Sequence, residues 1–109
     1  MKQRNPHDAV DYIIANASKF SRAKAQRVYL EEFRKTKKAL LMAESTESAA
    51  NAREQYAYAH PEYQELLSGL REAIEIEEKL RWDLIAAQTR VEIWRSEEAT
   101  ARAEGRATA

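Results

Sequence analysis

The sequence has no cysteine and only two glycines and two prolines among its 109 residues. Without cysteine, the chain can form no disulfide framework, thiol nucleophile or cysteine-ligated zinc finger. With so few glycines and prolines, it has few places at which a helix must stop. It also has no apolar run near the roughly 20 residues that a membrane-spanning helix needs. These absences favour long helices and predict a soluble protein of the cytoplasm.

What the sequence has in abundance is alanine and charge: 20 residues are alanine, and 33% are Asp, Glu, Lys or Arg. Alanine and the long charged side chains are strong helix formers, so the composition is typical of long helices. Alanine adds little apolar volume to a core, however. Because a small, thin core is often completed by a second copy, we expect a homo-oligomer, with a dimer favoured.

The stretch from Pro61 to about Glu104 is predicted to form one nearly unbroken helix, because it holds one glycine and no further proline. Its apolar residues recur at alternating steps of three and four, and this spacing is broken at Glu77. This seam comprises Tyr63, Leu66, Leu70, Ala73, Leu80, Leu84, Ala87, Val91 and Trp94. Such a seam is typical of a coiled coil or helical hairpin. The predicted oligomer interface is its last part, namely Leu84, Ala87, Val91 and Trp94.

Boundary signals divide the rest of the chain into shorter helices at about 6–17, 19–43 and 47–59. Asn5 followed by Pro6 is a good helix start. The weakly helical sequence from 15 to 21 predicts a bend or a break, and Ser18 could cap a fresh start there. The sequence ESTES at 44–48 predicts a turn in which Ser45 or Thr46 caps another helix, and this helix ends at His60, before proline.

The last helix, 61–104, is expected to stop near Gly105, with residues 105–109 frayed. The resulting fold class is all-α: a single domain over residues 1–109, built as a long helical hairpin or coiled-coil-like bundle with a short connecting helix. Self-association is expected to complete its core.

The net charge of zero conceals an asymmetry between the two parts of the chain. Residues 1–43 carry ten Lys or Arg against four Asp or Glu, and residues 44–109 carry eight against fourteen, which gives +6 and −6. In one interpretation, the basic helix lies along the acidic one in the same hairpin or dimer. In the other, the basic part faces a polyanion. The two interpretations are compatible.

The basic part supplies the candidate nucleic-acid-binding residues, because Arg and Lys on a helix neutralise phosphates without reading sequence. Nearby aromatics such as Phe20, Tyr29 and Phe33 could stack on bases, although helical spacing favours the core for the last two. The predicted set is Lys19, Arg22, Lys24, Arg27, Arg34, Lys35, Lys37 and Lys38.

Other chemistry finds little support in the sequence. His7 lies four residues before Asp11 but lacks a second pair to complete a metal shell, and His60 is interpreted as a cap or turn residue. The acidic stretch EAIEIEEK at 72–79 has no histidine three residues after a glutamate and is interpreted as a solvated face. The chain has no glycine-rich phosphate loop and no catalytic triad on a plausible scaffold. We therefore expect no enzyme activity, no metal, no cofactor and no small-molecule substrate.

Three stretches carry a resemblance to a known family: RVYLEEFRKTKKALLM at 27–42, YAYAHPEY at 56–63 and EEKLRWDLIAAQTRVEIWR at 77–95. Together they resemble small helical proteins of tailed bacteriophages and prophages, which tend to be encoded among DNA recombination, single-strand annealing and replication genes. The resemblance implies the cytoplasm of a bacterial host and an accessory role on phage DNA. It implies no catalytic residue, and the basic run from Arg34 to Lys38 suits the implied role.

The predicted function is that of a non-enzymatic phage accessory protein that assists DNA recombination or replication. It would bind single-stranded nucleic acid or a phage recombination protein through the basic helix. The alternative is an oligomeric helical adaptor or structural assembly protein that binds no nucleic acid.

Overall fold

The computed structural model describes residues 5–108, and over this range it contains helices and no strands. Helix α1 covers Pro6–Glu44, α2 covers Ala50–Ala59 and α3 covers Pro61–Thr108. The prediction of an all-α fold, with two long helices and a short connecting helix, is confirmed. None of the described helices is both long and apolar enough to cross a bilayer.

The chain divides into two compact units. The first combines the described residues up to Ser21 with those from Glu78 onwards, and the second is Arg22–Glu77. Each unit contains part of α1 and part of α3, and the second also contains α2. That residues 1–109 form a single domain stays a prediction.

Both long helices begin at a helix start that the sequence predicts, α1 at Pro6 and α3 at Pro61. The Asn5 Oδ1 atom accepts a hydrogen bond from the backbone N–H of His7 at 2.8 Å, which makes Asn5 the cap of α1. His60 has extended backbone angles of −67° and 135°, as expected for the residue before a proline. The Nδ1 atom of His60 accepts a hydrogen bond from the N–H of Glu62 at 3.0 Å, so the cap prediction for His60 is also confirmed.

Of the bend or break predicted between residues 15 and 21, the break is wrong, because α1 continues through this segment. The polar side chains of this segment bond back to the helix instead of capping a new one. Asn16 Nδ2 donates to the carbonyl of Tyr12 at 2.8 Å, and Ser21 Oγ donates to that of Ala17 at 3.2 Å. Because both bonds reach back by four residues, they are compatible with continuous helix.

The start of α2 and the end of α3 also differ from the predictions. The Ser45 hydroxyl accepts a hydrogen bond from the N–H of Glu47 at 3.1 Å within a turn, and α2 begins later, at Ala50. Gly105 does not stop α3, because the helix continues to Thr108 without a left-handed residue. Fraying over 105–109 is therefore wrong for 105–108, and Ala109 lies outside the described residues.

The core of the second unit lies where all three helices meet. Leu41 of α1, Ala57 of α2 and Tyr63 of α3 are buried together, with Met42 and Leu67 packed against them. The small side chain of Ala57 lets α2 approach the other helices closely. The connecting helix is thereby fixed against the basic end of α1.

In the first unit, α1 and α3 are joined by small residues and by a polar link. Ala9 and Ala87 are fully buried. Tyr12 donates a hydrogen bond to Asp83; burial raises the pKa of Tyr12, and the carboxylate of Asp83 adds to the rise. Lys79 Nζ lies 2.7 Å from Asp83 Oδ2 and lowers the pKa of Asp83. The pairing of the two helices here rests on hydrogen bonds as well as apolar contact.

Candidate nucleic-acid interface

All the predicted nucleic-acid-binding residues lie on α1, but the structure gives them different surroundings. The first three are exposed and pair with no carboxylate among residues 5–108: Lys19, Arg22 and Lys24. Of the other five, all but Arg34 form ion pairs: Arg27, Lys35, Lys37 and Lys38. The set is therefore not one uniform basic face.

Arg27 departs furthest from the prediction, because its guanidinium is held against α3. Its Nε atom donates to the two carboxylate oxygens of Glu77 at 3.2 and 3.1 Å, and Nη2 donates to Glu77 Oε1 at 2.9 Å. Nη1 donates to Glu31 at 3.1 Å. The hydrogen bonds with Glu77, followed by the bond with Glu31, raise the pKa of Arg27. The structure thus gives Arg27 a structural role and removes it from the predicted interface.

Glu77 is buried, with 2% of its surface exposed, so the interpretation of 72–79 as a solvated acidic face is wrong at this position. It stands where the apolar seam of α3 is broken in the sequence. A buried charge is tolerated when it is paired and hydrogen-bonded, and Arg27 provides the pair. Sliding the helices past each other would separate the two charges, so the pair favours one register.

The lysines near the end of α1 form weaker, more exposed pairs. Lys35 lies 3.4 Å from Glu32 within α1, and Lys38 Nζ lies 3.7 Å from Glu54 of α2. Lys37 Nζ lies 3.4 Å from Glu62 Oε1 at the start of α3. The interpretation in which basic residues pair with the acidic part of the chain therefore holds at Lys37 and Lys38. Exposed pairs contribute little to stability, so a phosphate can compete for these lysines.

One side of the second unit combines cations with aromatic rings in a groove of about 300 Å³. We call it the basic groove. Its lining comprises Arg34, Lys35, Lys38, Tyr58 and Tyr63. The cations come from the last turns of α1, and the tyrosines come from α2 and the first turn of α3.

Lys38 and Tyr58 form the centre of the basic groove. Lys38 Nζ lies 4.7 Å from the centroid of the Tyr58 ring, which is within the range of a cation–π contact. A hydrogen bond with Tyr58 raises the pKa of Lys38, and the carboxylate of Glu54 adds to the rise. The rings of Tyr58 and Tyr63 meet edge to face at 5.3 Å. The groove therefore holds a firmly protonated ammonium beside ordered aromatic rings.

The aromatics that the sequence suggested for base stacking have other partners. Tyr29 and Phe33 stack on each other, with centroids 5.8 Å apart. Phe20 lies beneath the guanidinium of Arg81 at 5.3 Å. The sequence reasoning missed the role of Tyr58, because nothing in the spacing of α2 shows that it folds back onto the end of α1. The stretch YAYAHPEY at 56–63 was the available signal, since it is the most tyrosine-rich part of the chain.

The residues of the predicted oligomer interface differ in how far they are buried within the chain. Ala87 is fully buried within the chain itself, and Leu84 and Val91 are partly buried. Trp94 keeps 39% of its surface exposed. Trp82, which lies off the predicted seam, is more exposed at 63%. Exposed apolar surface on α3 thus includes Trp94 on the predicted seam and Trp82 beside it, and the oligomer interface stays a prediction.

Fold and site together define a class: an all-α protein of paired long helices with a basic, tyrosine-lined groove at the junction with a connecting helix. No protein-family model, no curated protein and no solved structure matches this chain.

Proposed function

We propose that this chain is a non-enzymatic protein that binds single-stranded nucleic acid through the basic groove. The observation that supports this most is the convergence of Arg34, Lys35 and Lys38 with the rings of Tyr58 and Tyr63. The lining contains cations and phenols and no carboxylate or imidazole. Such a lining suits binding better than acid–base or nucleophilic chemistry.

Single strands suit the groove because they offer both of the features that it can recognise. Cationic side chains neutralise phosphates, and aromatic rings stack on bases that a duplex keeps paired and covered. Tyr58 keeps 40% of its surface exposed, so part of its ring remains open to a base. Neither kind of contact depends strongly on base identity, so we expect little sequence preference.

The resemblance to small phage proteins adds a setting to this proposal. Single-stranded DNA is the common intermediate of recombination, annealing and replication, so a binder of single strands fits an accessory role on phage DNA in a bacterial host. A phage recombination protein is the other partner that this setting offers, and it would have to supply acidic side chains to the same groove.

The direct test is fluorescence anisotropy with labelled single-stranded DNA, single-stranded RNA and duplex DNA at several salt concentrations. Each phosphate contact on a single strand contributes about −0.7 to the slope of log K against log salt, so the three groove cations predict a slope of about −2. Single strands should bind more tightly than the duplex. The absence of binding to all three ligands at low salt would exclude the proposal.

Tyr58→Ala is expected to lower the affinity for single-stranded DNA about 5- to 150-fold, because stacking is worth about 1–3 kcal/mol per base. The salt slope should remain unchanged, since no cation is removed. Tyr58→Phe keeps the ring and should retain most of the affinity. Tyr29→Ala is the matched control, because Tyr29 is exposed but stacks on Phe33 away from the groove lining. An equal loss in both alanine variants would contradict a specific role for Tyr58.

A second candidate function, a self-associating helical adaptor, is favoured by an exposed apolar stripe on α3. Among the described residues, seven hydrophobic side chains are buried and four of these are alanines, whereas thirteen large hydrophobic side chains are exposed. The α3 stripe consists of Trp82, Ile85, Thr89 and Ile93. The Thr89 hydroxyl donates to the carbonyl of Ile85 at 2.9 Å and is thus satisfied within the helix.

The α3 stripe is self-complementary, which points to a second copy as its partner. If two copies cross antiparallel between Ile85 and Thr89, Trp82 faces Ile93 of the other copy and Ile85 faces its Thr89. A two-fold pairing of this kind buries the same surface on both chains.

Trp82→Lys is therefore expected to convert a dimer into a monomer, as measured by multi-angle light scattering over a range of concentrations. A lysine would leave a charge inside the paired apolar surface. Trp94→Lys is the comparison, because it tests the interface predicted from the seam. Dissociation by Trp94→Lys alone would support the interface along the seam, and a wild-type chain that stays monomeric would contradict both interfaces.

A further inference from the structure

We propose that Glu44, His60 and Glu62 bind a divalent transition-metal ion, with Zn²⁺ as the best fit. Each residue offers one donor atom, and these atoms lie within 4.8 Å of one another. This group of three ligand residues is separate from the basic groove, because none of the three residues lines the groove.

The three residues come from three different places in the second unit. Glu44 is the last residue of α1, His60 joins α2 to α3, and Glu62 lies in the first turn of α3. Sequence spacing cannot show this convergence, because Glu44 precedes His60 by sixteen positions. The sequence therefore offers no reason to expect a metal at His60. The turn after α1 brings Glu44 close to His60, between α2 and α3.

His60 is held in place by its surroundings. Its backbone is restricted by the proline that follows. The Nδ1 lone pair accepts the hydrogen bond from the Glu62 N–H, and a metal ion bound to Nδ1 would replace that bond. The ring of Tyr56 packs against the imidazole edge to face at 5.6 Å. An imidazole that is fixed in this way loses little freedom on binding a metal, which favours affinity.

The donor atoms, which lie within 4.8 Å of one another, must come closer together to bind one ion. His60 Nδ1 lies 3.7 Å from Glu62 Oε2. Zinc takes nitrogen and carboxylate oxygen at about 2.0–2.2 Å in tetrahedral geometry, which places neighbouring donors about 3.4 Å apart. Both carboxylates are exposed and can rotate to shorten the remaining distances. Three protein ligands would leave the fourth position to water, the arrangement of zinc sites that are open on one side.

The identity of the donors selects the class of metal. Two carboxylates alone would favour Mg²⁺ or Ca²⁺, whereas an imidazole favours Zn²⁺ and its neighbours in the first transition row. Charge also favours a cation here. Glu62 is paired with Lys37 at 3.4 Å, but Glu44 has no ion pair among residues 5–108. A bound ion would supply the positive charge that Glu44 lacks.

Isothermal titration of the untagged 109-residue chain with ZnCl₂ tests the proposal. We expect saturable binding of one ion per chain, no comparable heat with MgCl₂, and a rise of about 5 °C or more in the melting temperature that EDTA reverses. The rise follows because the ion joins the end of α1 to the start of α3.

Variants separate the cluster from general surface binding. Glu44→Gln removes a ligand that makes no other ion pair and should weaken Zn²⁺ binding at least about tenfold. His60→Asn keeps a side chain that can cap α3 but removes the imidazole, and it should also lose binding. Glu47→Gln, an exposed glutamate of the neighbouring turn, is the matched control and should bind Zn²⁺ as the wild type does. The proposal fails if the wild-type chain shows no saturable uptake of Zn²⁺, if Glu47→Gln weakens binding as much as Glu44→Gln, or if His60→Asn leaves it intact.

Discussion

The Arg27→Met variant is expected to melt about 10 °C below the wild-type chain, because it removes a guanidinium that is hydrogen-bonded to the buried carboxylate of Glu77. Three of the hydrogen bonds that Glu77 accepts come from Arg27, and methionine replaces none of them. The measurement is thermal unfolding followed by circular dichroism, with urea unfolding as a second estimate of stability.

The double variant Arg27→Met/Glu77→Leu should recover most of the lost stability. Replacing both members of a buried ion pair by apolar residues of similar size is often neutral or stabilising, whereas removing one member is costly. Lys24→Met is the matched control, since Lys24 lies one turn earlier on α1, is exposed and has no carboxylate partner among residues 5–108. If Arg27→Met and Lys24→Met melt at the same temperature, Arg27 does not support Glu77 in the way described.

The second large effect is expected in nucleic-acid binding. Arg34→Gln/Lys35→Gln/Lys38→Gln should weaken the binding of single-stranded DNA about a hundredfold at 0.1 M salt. Three phosphate contacts give a slope of about −2 in log K against log salt, so at 0.1 M they contribute about a hundredfold more to the affinity than at about 1 M, where the contribution vanishes. The slope itself should fall toward zero. Glutamine is preferred to glutamate here, because Lys38 pairs with Glu54 and a reversed charge would repel that carboxylate.

A control with the same change in net charge distinguishes the basic groove from the overall field of α1. Lys19→Gln/Arg22→Gln/Lys24→Gln also removes three positive charges from α1, but none of these residues lines the groove. It should change the affinity by less than about threefold. Equal losses in the two triple variants would mean that the basic helix acts as a diffuse charge and that the groove has no special role. Unchanged circular dichroism spectra should accompany both variants.

Much of the helical framework could be predicted, because it depends on local chemistry. Asn5 with Pro6, and His60 with Pro61, start the two long helices through side-chain caps and the restricted backbone of proline. No break occurs near Ser18, because a serine or asparagine within a helix can bond back to the preceding turn as easily as it can cap a new one. Gly105 was misjudged for a similar reason, since a glycine permits a helix end but does not require one.

The candidate site was predictable only in part. The sequence pointed to the basic run from Arg34 to Lys38 on α1, and three members of that run line the basic groove. It could not reveal Tyr58, nor which cations already have carboxylate partners. The seam interruption at Glu77 was visible in the spacing, but its meaning was not, because the partner Arg27 lies fifty residues earlier in the chain.

The sequence by itself determined the all-α class, the helix starts at Pro6 and Pro61, and the separation of positive from negative charge along the chain. These properties follow from residues within a few positions of one another, and so they can be recognised without a fold. Only the tertiary structure decided that Arg27 stabilises Glu77, that Tyr58 joins the cations of α1, and that Glu44 comes within reach of His60. Each of these contacts requires the chain to reverse direction after α1, so that α2 and α3 pack against it. The packing of Leu41, Ala57 and Tyr63 sets the direction of α2 and α3 after this turn, and no local pattern does.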